Sequence, residues 1–323
     1  MNHHPFMAKI QIVDVGKLQV FLAAAETENF SAAARRLGLS QPAISFRIQS
    51  LEAELKVKLF ERIGKRVVLT GAGRELLPLA HELINLGESI VATVGASQDT
   101  VNGQLHIGCG TSLAKHVLPH LIGAFSKHYP LVRVNCEEMS HQAIVDKLIK
   151  HEIHFGIITQ LSKRGKIYFD PLFTDELVLV ISASHPWAAR GQVLPTELRQ
   201  QNWILSDADL AANSLLSVGL KTHGIALEEL RGGMRLGDTE SVLTAVEAGQ
   251  GVAFVSRLAA QQNLELGRIQ VIQVEGMLPL RREIYLAYCK KGETRAQSLF
   301  RKFIQAAEGQ SLIAKFALVP QED

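Results

Sequence analysis

Apolar residues fall at helical spacing near the start of the chain. Val15, Leu18, Phe21, Leu22 and Ala25 step by threes and fours and predict a first helix. Asn29-Phe30 breaks it. Ser31 is placed as the N-cap of a second helix in which Ala34 and Leu37 face inward, and Gly38 supplies its stop. Ser40 caps a third helix, with Pro42 tolerated in its first turn. There Ile44, Ile48, Leu51 and Leu55 form the buried stripe, while Gln41, Ala43, Ser45, Arg47 and Ser50 fall largely off it. "FERIGKRVVLT" then reads as two short strands around Gly64-Lys65-Arg66. Thr70 caps a long helix from about Gly71 to Ala96, along which Leu76, Ala80, Leu83, Gly87, Ile90 and Val94 make a heptad-like seam.

Beyond residue 102 the pattern alternates. "GQLHIGCG" is an apolar strand, and the helix after it begins at Thr111-Ser112 and runs through "LAKHVLPHLIGAFSKHYP". "VRVNCEE", "SHQAIVDKLIKHE" and "IHFGIIT" continue as strand, helix and strand, which implies a parallel sheet. "ELVLVIS" crosses to a second unit made of "NWILS", a helix near 209–222, "GGMRLG", the helix "DTESVLTAVEAG" and the strand "GVAFVS". "RREIYLAYC" returns to the first unit, and "TRAQSLFRKFIQAAE" closes it. Two α/β lobes joined by two crossover strands make a hinged pair with a cleft between them.

Charge adds direction to this picture. The net charge is only +2, yet residues 1–70 hold ten Lys/Arg against six Asp/Glu, and residues 29–74 hold nine against three. A basic front on a near-neutral body suggests a polyanion-binding module. Two helices joined by the tight "LGLS" turn, the second exposing Gln, Ser and Arg near its start, predict a helix-turn-helix for double-stranded DNA over residues 30–49. Gln41, Ser45 and Arg47 are the candidates at the base edges, Ser40 and Pro42 are further DNA-contact candidates, and Ser31 suits a phosphate oxygen. The basic hairpin reads as a wing, with Arg62, Arg66 and Thr70 as backbone contacts. The apolar seam calls for a partner helix. A dimer places two recognition helices on a two-fold site, and packing onto the chain's own domain is the alternative.

A family resemblance rests on these residues. "FSAAARRLGLSQPAISFRIQSLEAELKVKLFER" is similar to the signature of the LysR-type transcriptional regulators, from Phe-Ser through Ser-Gln-Pro-Ala to Leu-Phe-x-Arg. Position 46 departs from it, with Phe where the family often has Arg and the Arg moved to 47. The resemblance runs to about residue 309. It implies a winged helix-turn-helix at 13–70, a dimerising linker helix at 71–97 and a periplasmic-binding-protein-like α/β effector domain at 103–309. Lobe I is expected at about 103–177 and 278–309, lobe II at about 178–277, and a C-terminal tail at 310–323. It also implies a small-molecule effector, a dimer or tetramer of the chain, and RNA polymerase as a further candidate partner. The lobe stretch "GDTESVLTAVEAGQGVAFVSR" resembles members controlling sulfur, nitrogen or carbon assimilation.

Ligands of such sheets bind at strand C-terminal ends. That selects Thr111 and Ser112 after the first strand, Thr159 and Gln160 after the third, Ser206 after "NWIL", and Asp238 and Thr239 before "ESVLTAVE". Hydroxyls and N–H groups at helix starts suit a small carboxylate or an oxyanion. The plainer role for Thr111, Ser206 and Asp238 is capping. Two departures from the family bear on the ligand. "SDADLAANSLLSVG" replaces a Gly-Ser-Gly-Thr-Arg-like stretch, and His154 stands where an Asp is common.

No catalytic constellation emerges. Gly108-Cys109-Gly110 fails the GxGxxG pattern at Leu113, and there is no GxSxG, Walker A or HExxH. Neither a metal nor a cofactor is expected. Three cysteines lie far apart, and no apolar run approaches a membrane span, so the reading is a cytoplasmic protein without a membrane partner. Two alternatives stand beside it. One is a thiol redox sensor of the same family, since Cys109 and Cys136 end strands that could be neighbours. The other is a free-standing solute-binding protein over residues 103–309, against which the basic front and the lack of a signal-type leader in "MNHHPFMAKIQIVD" both argue.

Overall fold

The structure is a computed structural model describing residues 13–64, 66–94, 101–206, 210–230, 232–290 and 292–316. Lys65, the stretch 207–209 after Ser206 and the side chain of Val94 lie outside the described residues. Two compact units are present: residues 13–94 with the short segments 149–152 and 292–295, and the remainder from 101 to 316.

The first unit is three helices and a hairpin. Asp14 opens α1 (Val15–Thr27) by accepting from the Gly16 N–H at 2.7 Å. Asn29, and not Ser31, opens α2 (Phe30–Leu37). Its Oδ1 accepts from the N–H groups of Ser31 (2.9 Å) and Ala32 (3.1 Å), so one side-chain carbonyl satisfies two orphan donors. Leu37, expected to face inward, is exposed, and Ala33 with Ala34 fills that contact. Gly38 stops α2 in the left-handed conformation, φ +65°. Ser40 caps α3 (Gln41–Leu55), accepting from Ala43 N–H at 3.3 Å with Pro42 in the first turn. Ile44, Ile48 and Leu51 are buried against Leu18, Phe21 and Leu22 of α1 in one core.

The wing follows from a buried acid. Glu52 Oε1 accepts from the N–H groups of Leu59 (2.9 Å) and Phe60 (3.3 Å), and its Oε2 takes Lys58 Nζ at 2.6 Å. These bonds tie the end of α3 to β1 (Phe60–Ile63), which pairs antiparallel with β2 (Arg66–Leu69). Thr70 Oγ1 accepts from Gly73 N–H at 3.1 Å and donates to Lys58 C=O at 2.6 Å, which starts α4 (Gly71–Val94). Gly73 is needed there, because a Cβ would collide with the Leu59 carbonyl oxygen.

The predicted seam of α4 divides in two. Leu76 and Ala80, with Leu77, belong to the unit's own core, as the packing alternative anticipated. Leu79 (57% exposed), Leu83 (38%), Leu86 (50%) and Ile90 (57%) face outward. The exposed row is therefore Leu79-Leu83-Leu86-Ile90, stepping four, three and four, and it shares only Leu83 and Ile90 with the predicted seam. Gly87 is half-buried.

The second unit opens with β3 (Gly103–Cys109), α5 (Thr111–His116) and α6 (Leu118–His128). The single long helix expected here is split at Val117. Pro119 has no N–H to donate, and its ring would crowd the carbonyl four residues back. Next come β4 (Val132–Glu138), α7 (His141–Ile149) and β5 (Phe155–Ile158). β3 pairs parallel with both strands, as the alternation implied, and every position of β5 is buried.

β6 (Tyr168–Ser182) is fifteen residues long and serves both lobes. Lobe II adds β7 (Gln192–Val193), β8 (Trp203–Ser206), α8 (Leu210–Lys221), β9 (Gly232–Leu236) and α9 (Thr239–Glu247). It continues with β10 (Ala253–Ser256), α10 (Arg257–Glu265) and β11 (Ile269–Val274). Then β12 (Leu280–Tyr288) returns along β6 to pair with β5. The lobe I sheet runs β4-β3-β5-β12-β6. In lobe II, β10 and β11 flank the far half of β6, and β8 joins β10 through Ile204 N–H to Val252 C=O at 2.9 Å. α11 (Arg295–Gln305) packs Phe300, Phe303 and Ile304 under lobe I. The expected tail is helical at its start. α12 (Ala307–Ala314) adds Ile313 to the same core.

Candidate DNA interface and effector cleft

On α3 the exposed positions match the predicted ones only in part: Ala43 and Ser50 are half-buried, and Phe46 and Gln49 are exposed as well. Gln41, Pro42 and Arg47 are exposed, Ser45 is half-buried, and Ser31 and Ser40 are exposed beside them. Gln41 Nε2 donates to Ser45 Oγ at 2.9 Å. That bond orients the amide and leaves its oxygen and second N–H available, the donor and acceptor pair that an adenine edge requires. Arg62 and Arg66 stand exposed on the wing, with Arg66 only 3.8 Å from Glu28. Thr70 is half-buried and its hydroxyl is engaged in the cap described above. Reasoning from sequence passed over Glu52 and met Phe46 only as a departure from the family pattern. Glu52 anchors the wing from inside, and Phe46 projects from the middle of α3's exposed face, 72% exposed. An acid in a helical stripe and an aromatic outside it were the available signals.

In the effector unit the selected residues gather at strand ends. Cys109 of β3 pairs with Ile157 of β5, so Thr111, Ser112, Thr159 and Gln160 leave adjacent strands at the same end. Ser206 pairs with Leu236, so Ser206, Asp238 and Thr239 share the corresponding end of lobe II. The two groups approach each other. His116 Nε2 lies 3.2 Å from Glu240 Oε1, and Lys115 Nζ lies 4.0 Å from it. This bridge from α5 to α9 escaped the sequence because it depends on how the lobes close.

Several of these side chains already have partners. Asp238 is the N-cap of α9. Ser241 donates its hydroxyl at 2.6 Å and its N–H at 2.9 Å, which holds the carboxyl below the usual aspartate range. Thr239 is buried. Thr111 Oγ1 donates to Glu138, and Gly110, not Thr111, occupies the cap position of α5. The Ser206 carbonyl accepts from Asn213 Nδ2 at 2.9 Å. A cavity of about 810 Å³ lies elsewhere, beside the crossover strands, lined among others by Glu176, Val178, Arg257, Gln273 and Arg281. None of the seven selected residues borders it.

Cys109 and Cys136 are poorly placed for a disulfide. Cys109 pairs with Glu138 and Cys136 with Ile107, a diagonal offset of two residues. Standard strand spacings put such Cα atoms about 8 Å apart, beyond disulfide reach without backbone movement. Burial pushes the Cys109 thiol up to about 12, and local burial pushes that of Cys136 up to about 11 although the residue is exposed. Thiols so shifted are weak nucleophiles.

Among the described residues no helix is long and apolar enough to cross a membrane, and no cluster of His, Cys, Asp and Glu is arranged to hold a metal ion.

Comparison with known proteins agrees with this geometry. Residues 15–74 match the bacterial regulatory helix-turn-helix protein, lysR family, and residues 98–309 match the LysR substrate binding domain. A relative from Porphyra purpurea named "Probable RuBisCO transcriptional regulator" is 30% identical over 307 residues, covering 92% of this chain and 96% of its own. One of the same name from Cyanophora paradoxa is 32% identical over 272 residues, covering 82% and 84%. Among solved structures, CbnR complexed with its target DNA is similar with a TM-score of 0.61 and 24% identity, covering 91% of this chain and 99% of that one. A full-length OxyR variant from Pseudomonas aeruginosa reaches a TM-score of 0.71 at 22% identity, covering 91% and 98%. At these identities the structures speak for the fold alone. With both of its halves matched, the chain belongs to the LysR family, DNA-binding transcriptional regulators with an effector-binding domain and no enzymatic activity.

Proposed function

We propose that the chain represses or activates its targets as a homo-oligomer whose DNA contacts respond to a small anion held between the lobes. The observation that carries this reading is the convergence at the lobe ends. Ser112 and Thr159 leave neighbouring strands of lobe I, and α5 reaches α9 of lobe II through His116 and Glu240. A ligand at the strand ends would sit where the lobes already touch, so its binding would bias their closure. The anionic preference rests on Ser112, Thr159 and Lys115, and it competes with Glu138 and Glu240 nearby. The exposed Leu79-Leu83-Leu86-Ile90 row supplies a surface for a second chain. From their names, the relatives make RuBisCO genes the first targets to test. A cytoplasmic location beside DNA follows from the same reading, with RNA polymerase as a further partner.

A thermal-shift screen of full-length protein against small carboxylates, sulfate and phosphate tests the reading. A true effector raises the melting temperature by linkage. Against the compound found, Ser112→Ala should lose one hydrogen bond to a charged group, about 1.5–3 kcal/mol, or roughly ten- to a hundredfold in affinity. Gly110 holds the cap position of α5, so the substitution removes no cap, and the melting temperature without ligand should stay put. Unchanged affinity in the variant would remove Ser112 from the site. The thiol-sensor alternative has against it the offset of Cys109 and Cys136 and their raised thiols.

A further inference from the structure

The exposed face of α3 carries a large side chain that the polar reading of DNA leaves unused. Phe46 is 72% exposed, while Ile44 and Ile48, two residues to either side, are buried. At 3.6 residues per turn, a position two residues from each of them lies on the opposite side of the helix. Pro42, one turn earlier, and Gln49, nearly one turn later, flank it and are also exposed. Phe46 therefore points directly away from the core of its unit. It gains nothing from burial within this chain, and a phenyl ring has no hydrogen-bonding atom with which to hold a phosphate or match a polar base edge.

α3 is the second helix of the helix-turn-helix, the one that enters the major groove with its early residues toward the bases. Phe46 is the sixth residue of α3, one position after the Gln41–Ser45 pair. The apolar feature that a base pair offers in the major groove is the C5-methyl of thymine. We propose that Phe46 is a specificity-determining residue that packs on a thymine methyl, so that each operator half-site carries a thymine at one fixed position beside the bases read by Gln41. A guanidinium at position 46 would favour guanine there, because it donates to O6 and N7. The proposal rests on the DNA-reading role of α3.

The test uses full-length protein and duplexes that it selects from a random-sequence library. In a selected duplex each thymine is replaced singly by deoxyuridine, which deletes only the methyl group. At one position per half-site the replacement should weaken the wild-type chain roughly fourfold, the worth of one buried methyl. Phe46→Ala should lose at least as much on the unmodified duplex and be indifferent to the replacement at that position. Phe46→Leu should keep part of the sensitivity. Binding to random DNA should be equal for all three, and their melting temperatures should agree because the ring is exposed. If no duplex is selected at all, the DNA-reading role of α3 falls and the proposal with it. If duplexes are selected but no thymine replacement distinguishes wild type from Phe46→Ala, base reading by α3 stands and the role of Phe46 is wrong. That role is equally wrong if Phe46→Ala binds the selected duplexes as tightly as wild type. Phe46 would then be a surface for another protein.

Discussion

Individual side chains in the DNA-binding unit fall into those that hold the unit together and those left facing outward, and exposure separates them. Glu52 is of the first kind. Its carboxylate is used three times inside the unit, by two backbone N–H groups and by Lys58. Gln41 is of the second kind, exposed and oriented only by Ser45. Gln41→Ala should therefore cost about 1–3 kcal/mol on a selected operator and little on random DNA. Competition gel shifts with the two DNAs measure both numbers, and equal losses would show that Gln41 contacts backbone. At this scale the sequence was readable where chemistry and position coincide. Gly38 and Ser40 sit where a stop and a cap are expected, and they act as such. Ser31 misled because Asn29, two residues earlier, is an equally good cap, and pattern alone cannot rank adjacent candidates.

Among the elements, α4 shows where periodicity stops being decisive. A helix with apolar residues on more than one face supports several rows at steps of three and four. The row through Leu76 and Ala80 and the row through Leu79 and Leu86 share Leu83 and Ile90. Only the position of the wing and α1 decides which row is covered. The consequence is a pair of opposite outcomes. Leu83→Asp or Ile90→Asp should leave the unit folded and break self-association, because each puts an unpartnered carboxylate into an apolar contact. Leu77→Ala should leave association alone and cost about 2–4 kcal/mol of stability, since Leu77 is buried in the core. Sedimentation at micromolar concentration, paired with thermal melting, reads the two effects separately. An unchanged mass for both aspartate variants would overturn the proposal that this row joins two chains and favour packing of the helix onto its own chain.

Over the whole effector unit, the two crossover strands meet at one buried charge pair. Asp175 of β6 is 3% exposed. It takes Arg282 Nε of β12 at 3.0 Å and Ser256 Oγ of β10 at 2.8–3.0 Å. Asp175→Asn removes the carboxylate beside Arg282 and should destabilise this unit by about 3 kcal/mol, visible in denaturant unfolding, while operator binding by the separate DNA unit persists. A change below about 0.5 kcal/mol would mean that other groups around Arg282 neutralise it as well. The two-lobe plan was legible from the strand and helix alternation. The contact between α5 and α9 was not, because residues 124 positions apart meet only once both sheets exist. The fifteen residues of β6 carry a further implication. Their near half pairs with β12 of lobe I and their far half with β10 and β11 of lobe II, so one strand belongs to both lobes. Lobe I is two pieces of the chain with lobe II inserted between them, and the insertion begins inside a shared strand, so neither lobe can be cut out or swapped without severing β6. Amides near Leu177 to Val180 should be among the last in the unit to exchange with deuterium. A chimera that trades lobe II for a relative's must carry the far half of β6 with it, or β10 and β11 will be left with an unpaired edge and the protein will aggregate.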